Sequence, residues 1–433
     1  MYSLNYICFA ILAILYLRYL MSPGKVVTSP FDHRQEILFD GPEMCWVLVF
    51  ATGVLALSSE GVIDLMAMRM MLIEAICITG LFVTHRSPVW TVPLYIYVLY
   101  LFWIIIGCSY SPDVTYGVRI VLKYLFPLFL TLFASSAVRH PEVFIKASLG
   151  AVLMGLASYF VWVVPGLNEL IHGFFWYATA RAINYISLMV FCLTLFFYTD
   201  EKKKYLLLAI LFIIPCFAWV FRTSIMGSIV ALAAFSFIKY RVRSVPLIVG
   251  IVLLGIVAVF ALPNLHKKMF KKGSGNITIE QFQSGKVSMK QVETNAREAM
   301  WTYLEARFYK PHKLEGSGTG AVQQHMYSHY LFGGLRVPHS DFVQIRCDNG
   351  LVGLSLYGLA FLCIFIHCFR VFHREESIPI KMCALTAGAS LAGVFVTLYS
   401  ENTVNYSLAS LSMPFGFYGM MLGLLRGKED TES

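Results

Sequence analysis

Residues 205–262 read YLLLAILFIIPCFAWVFRTSIMGSIVALAAFSFIKYRVRSVPLIVGIVLLGIVAVFAL. Three apolar runs, Tyr205 to Phe221, Thr223 to Ile238 and Val245 to Leu262, are separated only by a buried-looking arginine and by the basic cluster KYRVRS. Each run approaches the ~20 residues that a helix needs to cross a bilayer. The same pattern recurs along the chain, about thirteen times in all, from Leu4 to Met21 at the start to Tyr406 to Leu425 at the end. The second run, Met44 to Ser58, is short, and the third, Val62 to Val83, carries Asp64, Arg69 and Glu74.

The composition agrees with this reading. The chain is 58% hydrophobic and 14% charged, with a mean hydropathy of +0.67, against roughly 45–50% and 25% in a soluble domain. The expected fold is therefore an all-α polytopic integral membrane protein with about 12–13 transmembrane helices. Helices 1–10 fill residues 1–262, a large polar loop fills 263–350, and helices 11–13 with a short tail fill 351–433.

Short loops rich in Lys and Arg stay on the cytoplasmic side. Such loops are Asp200 to Lys204, Lys239 to Arg243, the Arg370, Arg374 and Lys381 group, and Arg426 with Lys428. Placing them inside puts the 263–350 loop and the N-terminus outside. No basic n-region precedes the first apolar run and no small-residue cleavage site follows it, so the run reads as a retained anchor. Nine of the ten cysteines lie in or beside apolar runs and only Cys347 lies in the large loop. There is no disulfide framework and no Cys-x-x-Cys pair for zinc.

The large loop is where chemistry is expected. It carries twelve Lys and Arg against seven Asp and Glu, a net +5, which suits an anionic substrate. Residues 294–308 have a helical pattern, with Asn295 at the N-cap, Glu298 in capping-box spacing and Pro311 as the stop. Arg297 then falls in the first turn, one turn from Trp301 on a shared face. An arginine beside exposed backbone N–H groups is a candidate diphosphate grip; the alternative is a solvated arginine on an amphipathic helix. Arg222 stands at the outer end of two apolar runs, where an ionisable group faces a cavity or snorkels to headgroups. Arg181 and Asn184, at the start of the seventh run, are similar candidates. Glu401, Asn402 and Asn405 occupy the short outer turn between the last two spans.

His339, in VPHSDFVQ, is a candidate general base. Asp341 could orient it or cap the next helix. Spacing does not separate His339 from His266, His312, His325 and His329 in the same loop. The run Gly316-Ser317-Gly318-Thr319-Gly320 is phosphate-friendly, but no Lys-Ser/Thr follows it and no strand precedes it, so it reads as a turn and not a P-loop. No Asp-x-Asp or paired histidines mark a metal site, and no metal or cofactor is expected.

The stretches FRTSIMGS, NAREAMW, EGSGTG and PHSDFVQIRCDNGLVGLSLYG, in this order and behind many spans, resemble the bacterial O-antigen ligase and O-antigen polymerase superfamily. The last stretch is the most specific, and the resemblance covers mainly residues 205–372. It implies a GT-C-like membrane glycosyltransferase acting on undecaprenyl-diphosphate-linked sugars at the periplasmic face of the bacterial inner membrane. By matching position, Arg222 and Arg297 would hold the diphosphate and His339 would activate the acceptor hydroxyl. Arg181, Trp301, Gly316, Gly318 and Asp341 would complete the substrate-binding set. The implied partners are a lipid-linked glycan donor, a glycan or lipid A core acceptor and the bilayer, with a chain-length regulator as a further candidate and no nucleic acid. The chain has His339-Ser340 where the family commonly has His-Asn, Asp348-Asn349-Gly350 where a Glu commonly precedes the glycine, and Arg222-Thr223-Ser224 where ligases often show Ser-Arg. That last order leans toward polymerases. The sister reading is a ligase, and a reading from another class is a transporter or flippase of the same lipid-linked sugars, favoured by Asp64, Arg69 and Glu74.

Overall fold

The computed structural model describes residues 3–29, 35–59, 64–171, 173–218, 220–269, 297–329 and 335–432. Every apolar run forms a helix. The first seven helices are α1 (Ser3–Leu20), α2 (Gly41–Ala51), α3 (Leu65–Val83), α4 (Val92–Cys108), α5 (Val114–Ala137), α6 (Pro141–Val163) and the one-turn α7 (Leu167–Leu170). Next come α8 (Ala178–Tyr198), α9 (Lys202–Ala218), α10 (Arg222–Tyr240), α11 (Val245–Ala261) and α12 (Pro263–Met269). The large loop contributes α13 (Arg297–Leu304) and α14 (Ala321–Ser328), and the chain ends in α15 (Asp341–Arg374), α16 (Ile378–Thr397), α17 (Ser407–Ser410) and α18 (Ser412–Glu432). Among the described residues eight helical segments, α10 and α11 counted as one, are long and apolar enough to cross a membrane, and α2 and α4 are shorter apolar helices. The protein is an all-α polytopic membrane protein. One departure from the all-helical expectation is a small antiparallel hairpin between α1 and α2, β1 (Lys25–Thr28) with β2 (Glu36–Phe39).

Among the eight candidate spans α5, α8 and α16 are the most buried, and α11 buries no residue at all. Without a hydrophobic force between helices in lipid, close backbone packing at small residues holds such a bundle. The clearest case joins α10 to α16. A Cβ on Gly227 would lie 2.9 Å from the Gly393 carbonyl oxygen, and one on Gly393 would lie 2.8 Å from that of Gly227. This contact fixes the start of α10 beside the end of α16, where the candidate site forms.

The loops sort into two groups by their contacts. On one face Arg139 pairs with Asp40 at 3.3 Å and donates to the Thr84 carbonyl, and Lys428 pairs with Glu375 at 3.1 Å. The basic loops at 200–204 and 239–243 come to this same face by helix alternation. The other face gathers residues 55–58 against 173–176, residues 109–111 against 315–319, and the 338–341 and 398–404 turns.

Two of the three charges in the third span have structural employment, while the third, Glu74, is buried with its Oε1 unpartnered among the described residues. Asp64 is the N-cap of α3, accepting from the N–H groups of Met66 and Ala67. Arg69, fully buried, donates to the carbonyls of Leu55 and Thr52 and so caps the frayed end of α2, which explains how so short a helix ends inside the bundle.

On the basic face, His140 Nδ1 lies 3.0 Å from both carboxylate oxygens of the fully buried Glu43. That hydrogen bond raises the His140 pKa against the opposing effect of burial. A raised histidine contributes stability that is complete below its unfolded value of about 6.5 and is lost as pH rises through the folded value. His140→Gln is therefore expected to lower thermal stability near pH 6 and to cost much less near pH 9. Equal losses at both pH values would mean that the imidazole acts only through packing.

Candidate active site

The site is assembled from four segments that are distant in sequence. The first is the start of α10. Val220, at φ +55°, ends α9 in the left-handed region, and the Phe221 N–H reaches back to the Cys216 carbonyl at 2.9 Å. A β-branched residue rarely adopts this conformation, so the turn that delivers half-buried Arg222 to the first position of α10 is a specific one. The next residue, Thr223, bonds Ser400 Oγ at 3.0 Å.

The second segment is α13. Arg297 opens it, as the sequence pattern expected, whereas Asn295 lies outside the described residues. The helix continues through a π-turn, Glu305–Tyr309, and stops before Pro311. Met300, Leu304 and Phe308 face a small separate core with Val322, Met326 and Val343. Arg297 donates to the Ser400 carbonyl and lies 3.9 Å from Glu401 Oε2.

The third segment is the Pro338-His339-Ser340-Asp341 turn. His339 sits at φ +52° and its Nδ1 is 3.1 Å from Glu401 Oε1. A carboxylate can only accept, so Nδ1 is the donor of this bond, and in the neutral imidazole Nε2 then offers its lone pair to a substrate hydroxyl. The side chain is 24% exposed, so it is held yet reachable. Strained left-handed backbone at a non-glycine residue persists where surroundings enforce it, and two contacts do so here. Trp301 Nε1 donates to the Pro338 carbonyl at 2.7 Å, and Ser340 Oγ caps α15 by accepting from the Val343 N–H.

The fourth segment is the 398–406 turn between α16 and α18. Glu401 joins His339 to Arg297 through its two oxygens. Asp341 does neither thing expected of it. Ser340 is the helix cap and Glu401 orients His339, while the buried Asp341 carboxylate accepts from Asn402 Nδ2 at 3.2 Å and the Val404 N–H at 3.1 Å. It holds the turn that carries Glu401. Trp301 likewise packs edge-on against Tyr399 at 5.7 Å.

Gly316 and Gly318 are placed away from this cluster. Their φ angles are +79° and +102°, and their N–H groups donate to the carbonyls of His312 and Asp348. The glycine run packs into a kink in α15 at Gly350, φ +66° and ψ −167°. There the Leu351 and Val352 N–H groups take the Lys313 and Leu314 carbonyls. Asp348 accepts from the Gly320 and Val322 N–H groups and so starts α14. The run is a structural wedge, and its amides are not open to a phosphate.

Arg181 is buried on α8, with its guanidinium 5.0 Å from the Trp162 ring centroid. Its Nε and Nη1 and both amide atoms of Asn184 are buried without hydrogen-bond partners. Buried polar atoms are normally satisfied, so this stripe of α8 is suited to a polar ligand or water. Lys123, which the sequence reading passed over, reaches the 398–406 turn from α5 and donates to Asn405 Oδ1 at 2.6 Å. A lone lysine inside an apolar run is the signal that would have found it. Among the other loop histidines, His325 is held by Tyr303 and His312 by Glu315, both at 3.0 Å. Burial, and then the charges of Arg307 and His329, push the His325 pKa down. His312 and His339 both meet a carboxylate, but the Glu401 that holds His339 also lies beside Arg297, and this shared contact, which spacing could not reveal, sets His339 apart. Among the described residues no group of His, Cys, Asp and Glu is placed to hold a metal.

Fold and site together define a multi-pass membrane protein with two arginines and a carboxylate-held histidine gathered at the ends of its helices. Residues 207–358, about a third of the chain, match the family model described as O-Antigen ligase, which bears out the resemblance to the O-antigen ligase and polymerase superfamily. The match begins in α9, takes in Arg222, Arg297, His339 and the Gly350 kink, and ends in α15. No curated protein matches the chain.

Proposed function

We propose that the protein is a metal-independent glycosyltransferase that polymerises undecaprenyl-diphosphate-linked oligosaccharide repeat units at the periplasmic face of the inner membrane. The observation that carries this reading is the convergence of Arg297 and His339 on the two oxygens of Glu401, beside the start of α10. His339 Nε2 takes the proton of the acceptor sugar hydroxyl as that oxygen attacks the anomeric carbon of the donor. The bond from that carbon to the diphosphate oxygen breaks, and the diphosphate leaves with the electron pair. Arg222 and Arg297 stabilise the departing charge without reorganisation. Arg181 and Asn184 offer further polar contacts to the donor headgroup. The basic face then lies in the cytoplasm, in keeping with the positive-inside rule.

The ligase reading, with lipid A core as acceptor, uses the same chemistry and differs only in what reaches Nε2. Transport is less favoured because Asp64 and Arg69, two of the three charges that support it in the sequence, cap helix ends, while the third, Glu74, is buried on α3.

The test is incubation of the purified protein in nanodiscs with undecaprenyl-diphosphate repeat units alone. A ladder of products is expected; product only after addition of lipid A core would establish a ligase, and none with either acceptor would overturn both. In the same assay Arg222→Lys is expected to lower transfer about 10²-fold, as loss of an oxyanion-hole donor does, because an ammonium cannot reproduce a planar bidentate fork. Full activity with lysine would mean that Arg222 serves the lipid headgroups.

A further inference from the structure

A cavity of about 310 Å³ opens on the basic face, at the opposite end of the bundle from the candidate active site. It lies where α1 and α3 end and α2 begins, and its wall includes Met21, Ser22, Asp40, Thr84, His85 and Arg139. Ligand sites run from about 300 to 1,000 Å³, so this one suits a ligand no larger than a lipid headgroup. Its surroundings are those of a lipid. Met21 is 71% exposed, and Phe82, next to the lining residue Val83, is 78% exposed. Leu17 and Ile78, one turn back on α1 and α3, are exposed as well, so an apolar stripe runs from beside the cavity into the membrane along each helix.

Two opposite charges share the cavity. Arg139 Nη2 lies 3.3 Å from Asp40 Oδ2 and donates to the Thr84 carbonyl, while its Nε and Nη1 meet no hydrogen-bond partner among the described residues. Asp40 Oδ1 accepts from the Glu43 N–H as the cap of α2. The neighbouring Glu43 is withdrawn from the cavity, fully buried under the N–H groups of Arg139 and His140 and the His140 ring. Asp40 is therefore the carboxylate that lines the wall. A guanidinium has five N–H donors and a carboxylate about four acceptor positions, so each member of this partly exposed pair has capacity for a further partner. His85 ends α3 beside them at φ +50°, a left-handed position usually given to glycine.

We infer that this cavity binds the headgroup of phosphatidylethanolamine, with the phosphodiester on Arg139, the ammonium on Asp40 and the acyl chains along α1 and α3. The inference stands apart from the glycosyltransferase reading and uses none of its residues. The pairing of charges selects this lipid. Phosphatidylglycerol brings a phosphate for Arg139 but sets no cation against Asp40, whose carboxylate repels it. Phosphatidylcholine brings a cation, but its methyl groups leave no N–H to donate to that carboxylate. Phosphatidylethanolamine supplies both a phosphate and a donating ammonium, separated by one oxygen and two carbons, to a cation and an anion that lie side by side. The bound lipid then clamps α1, whose span is only 22% buried, against α2 and α3.

The test is native mass spectrometry of the delipidated full-length protein in detergent, titrated with phosphatidylethanolamine, phosphatidylglycerol and phosphatidylcholine of identical acyl chains. The wild type is expected to bind phosphatidylethanolamine about tenfold more tightly than either of the others, the worth of one charge-assisted hydrogen bond. Asp40→Asn keeps the helix cap, since Asn caps as well as Asp, and should erase this preference by weakening phosphatidylethanolamine and strengthening phosphatidylglycerol. The gain for phosphatidylglycerol cannot come from a misfolded protein. Arg139→Gln should weaken both lipids about tenfold, whereas Lys204→Gln, an exposed charge on the same face paired with Glu201, should change neither. Equal binding of the three lipids by the wild type, or a preference that survives Asp40→Asn, would overturn the assignment. Displacement of the lipid by an equal concentration of soluble glycerophosphoethanolamine would also overturn it, by assigning the cavity to a free phosphodiester. Glycan transfer does not enter these readouts, so their failure leaves the proposed reaction standing, and failure of that reaction leaves them interpretable.

Discussion

His339→Ala is expected to lower glycan transfer by about 10²–10⁴-fold, the usual worth of a general base, with expression and membrane insertion unchanged. The imidazole is 24% exposed and its hydrogen-bond partner among the described residues is Glu401, so its loss removes little packing. The accompanying variant, Glu401→Gln, separates base from scaffold. The amide can still meet Nδ1, but it no longer requires the hydrogen to be there and no longer offers charge to an imidazolium or to Arg297. Its expected effect is about tenfold, smaller than that of His339→Ala, with a shifted pH profile for kcat/KM. A His339→Ala protein that makes glycan of normal amount and length would remove the histidine from the chemistry. A Glu401→Gln protein with an unchanged pH profile would reduce the carboxylate to a structural contact.

The second large effect is expected at Gly350. A Cβ there would lie 2.0 Å from the Leu314 carbonyl oxygen, and the residue's φ of +66° with ψ of −167° is open essentially to glycine alone. Gly350→Ala must straighten α15 or push the 313–320 segment away. Either movement breaks the bonds from the Leu351 and Val352 N–H groups to Lys313 and Leu314. Strain of a few kcal/mol and two lost hydrogen bonds at about 1 kcal/mol each sum to roughly 4 kcal/mol. Thermal unfolding should show a clear loss, and transfer should fall with it, because the outer part of α15 begins at the His339 turn. Gly250→Ala, where nothing lies within 4 Å, is the control. An unchanged melting temperature for Gly350→Ala would show that the kink is not needed.

The membrane helices were legible because apolar length is a local property. A run such as VPLIVGIVLLGIVAVFA, Val245–Ala261, has no soluble alternative. Arg222 was legible for a similar reason, since an ionisable group at a helix end in lipid stands out against its neighbours, whereas Arg297 was marked by the pattern of its loop helix and His339 by the resemblance of the PHSDFVQ stretch. The short second helix was harder to read, because its end is closed by Arg69 from a different helix.

The amino-acid sequence alone determined the all-helical membrane architecture, the alternation of basic and polar loops, and the identity of Arg222, Arg297 and His339 as candidates. Tertiary structure alone decided how those residues are held. His339 meets Glu401 across 62 positions and Arg297 meets Ser400 across 103. It also moved Asp341 from the histidine to the turn behind it, and showed the glycine run, read as a turn, to be a wedge against the kink of α15. The physical reason is that a span's apolar length is written in consecutive residues. The meeting of the four site segments depends instead on where glycines such as Gly227 and Gly393 let helices approach, and no local pattern encodes that.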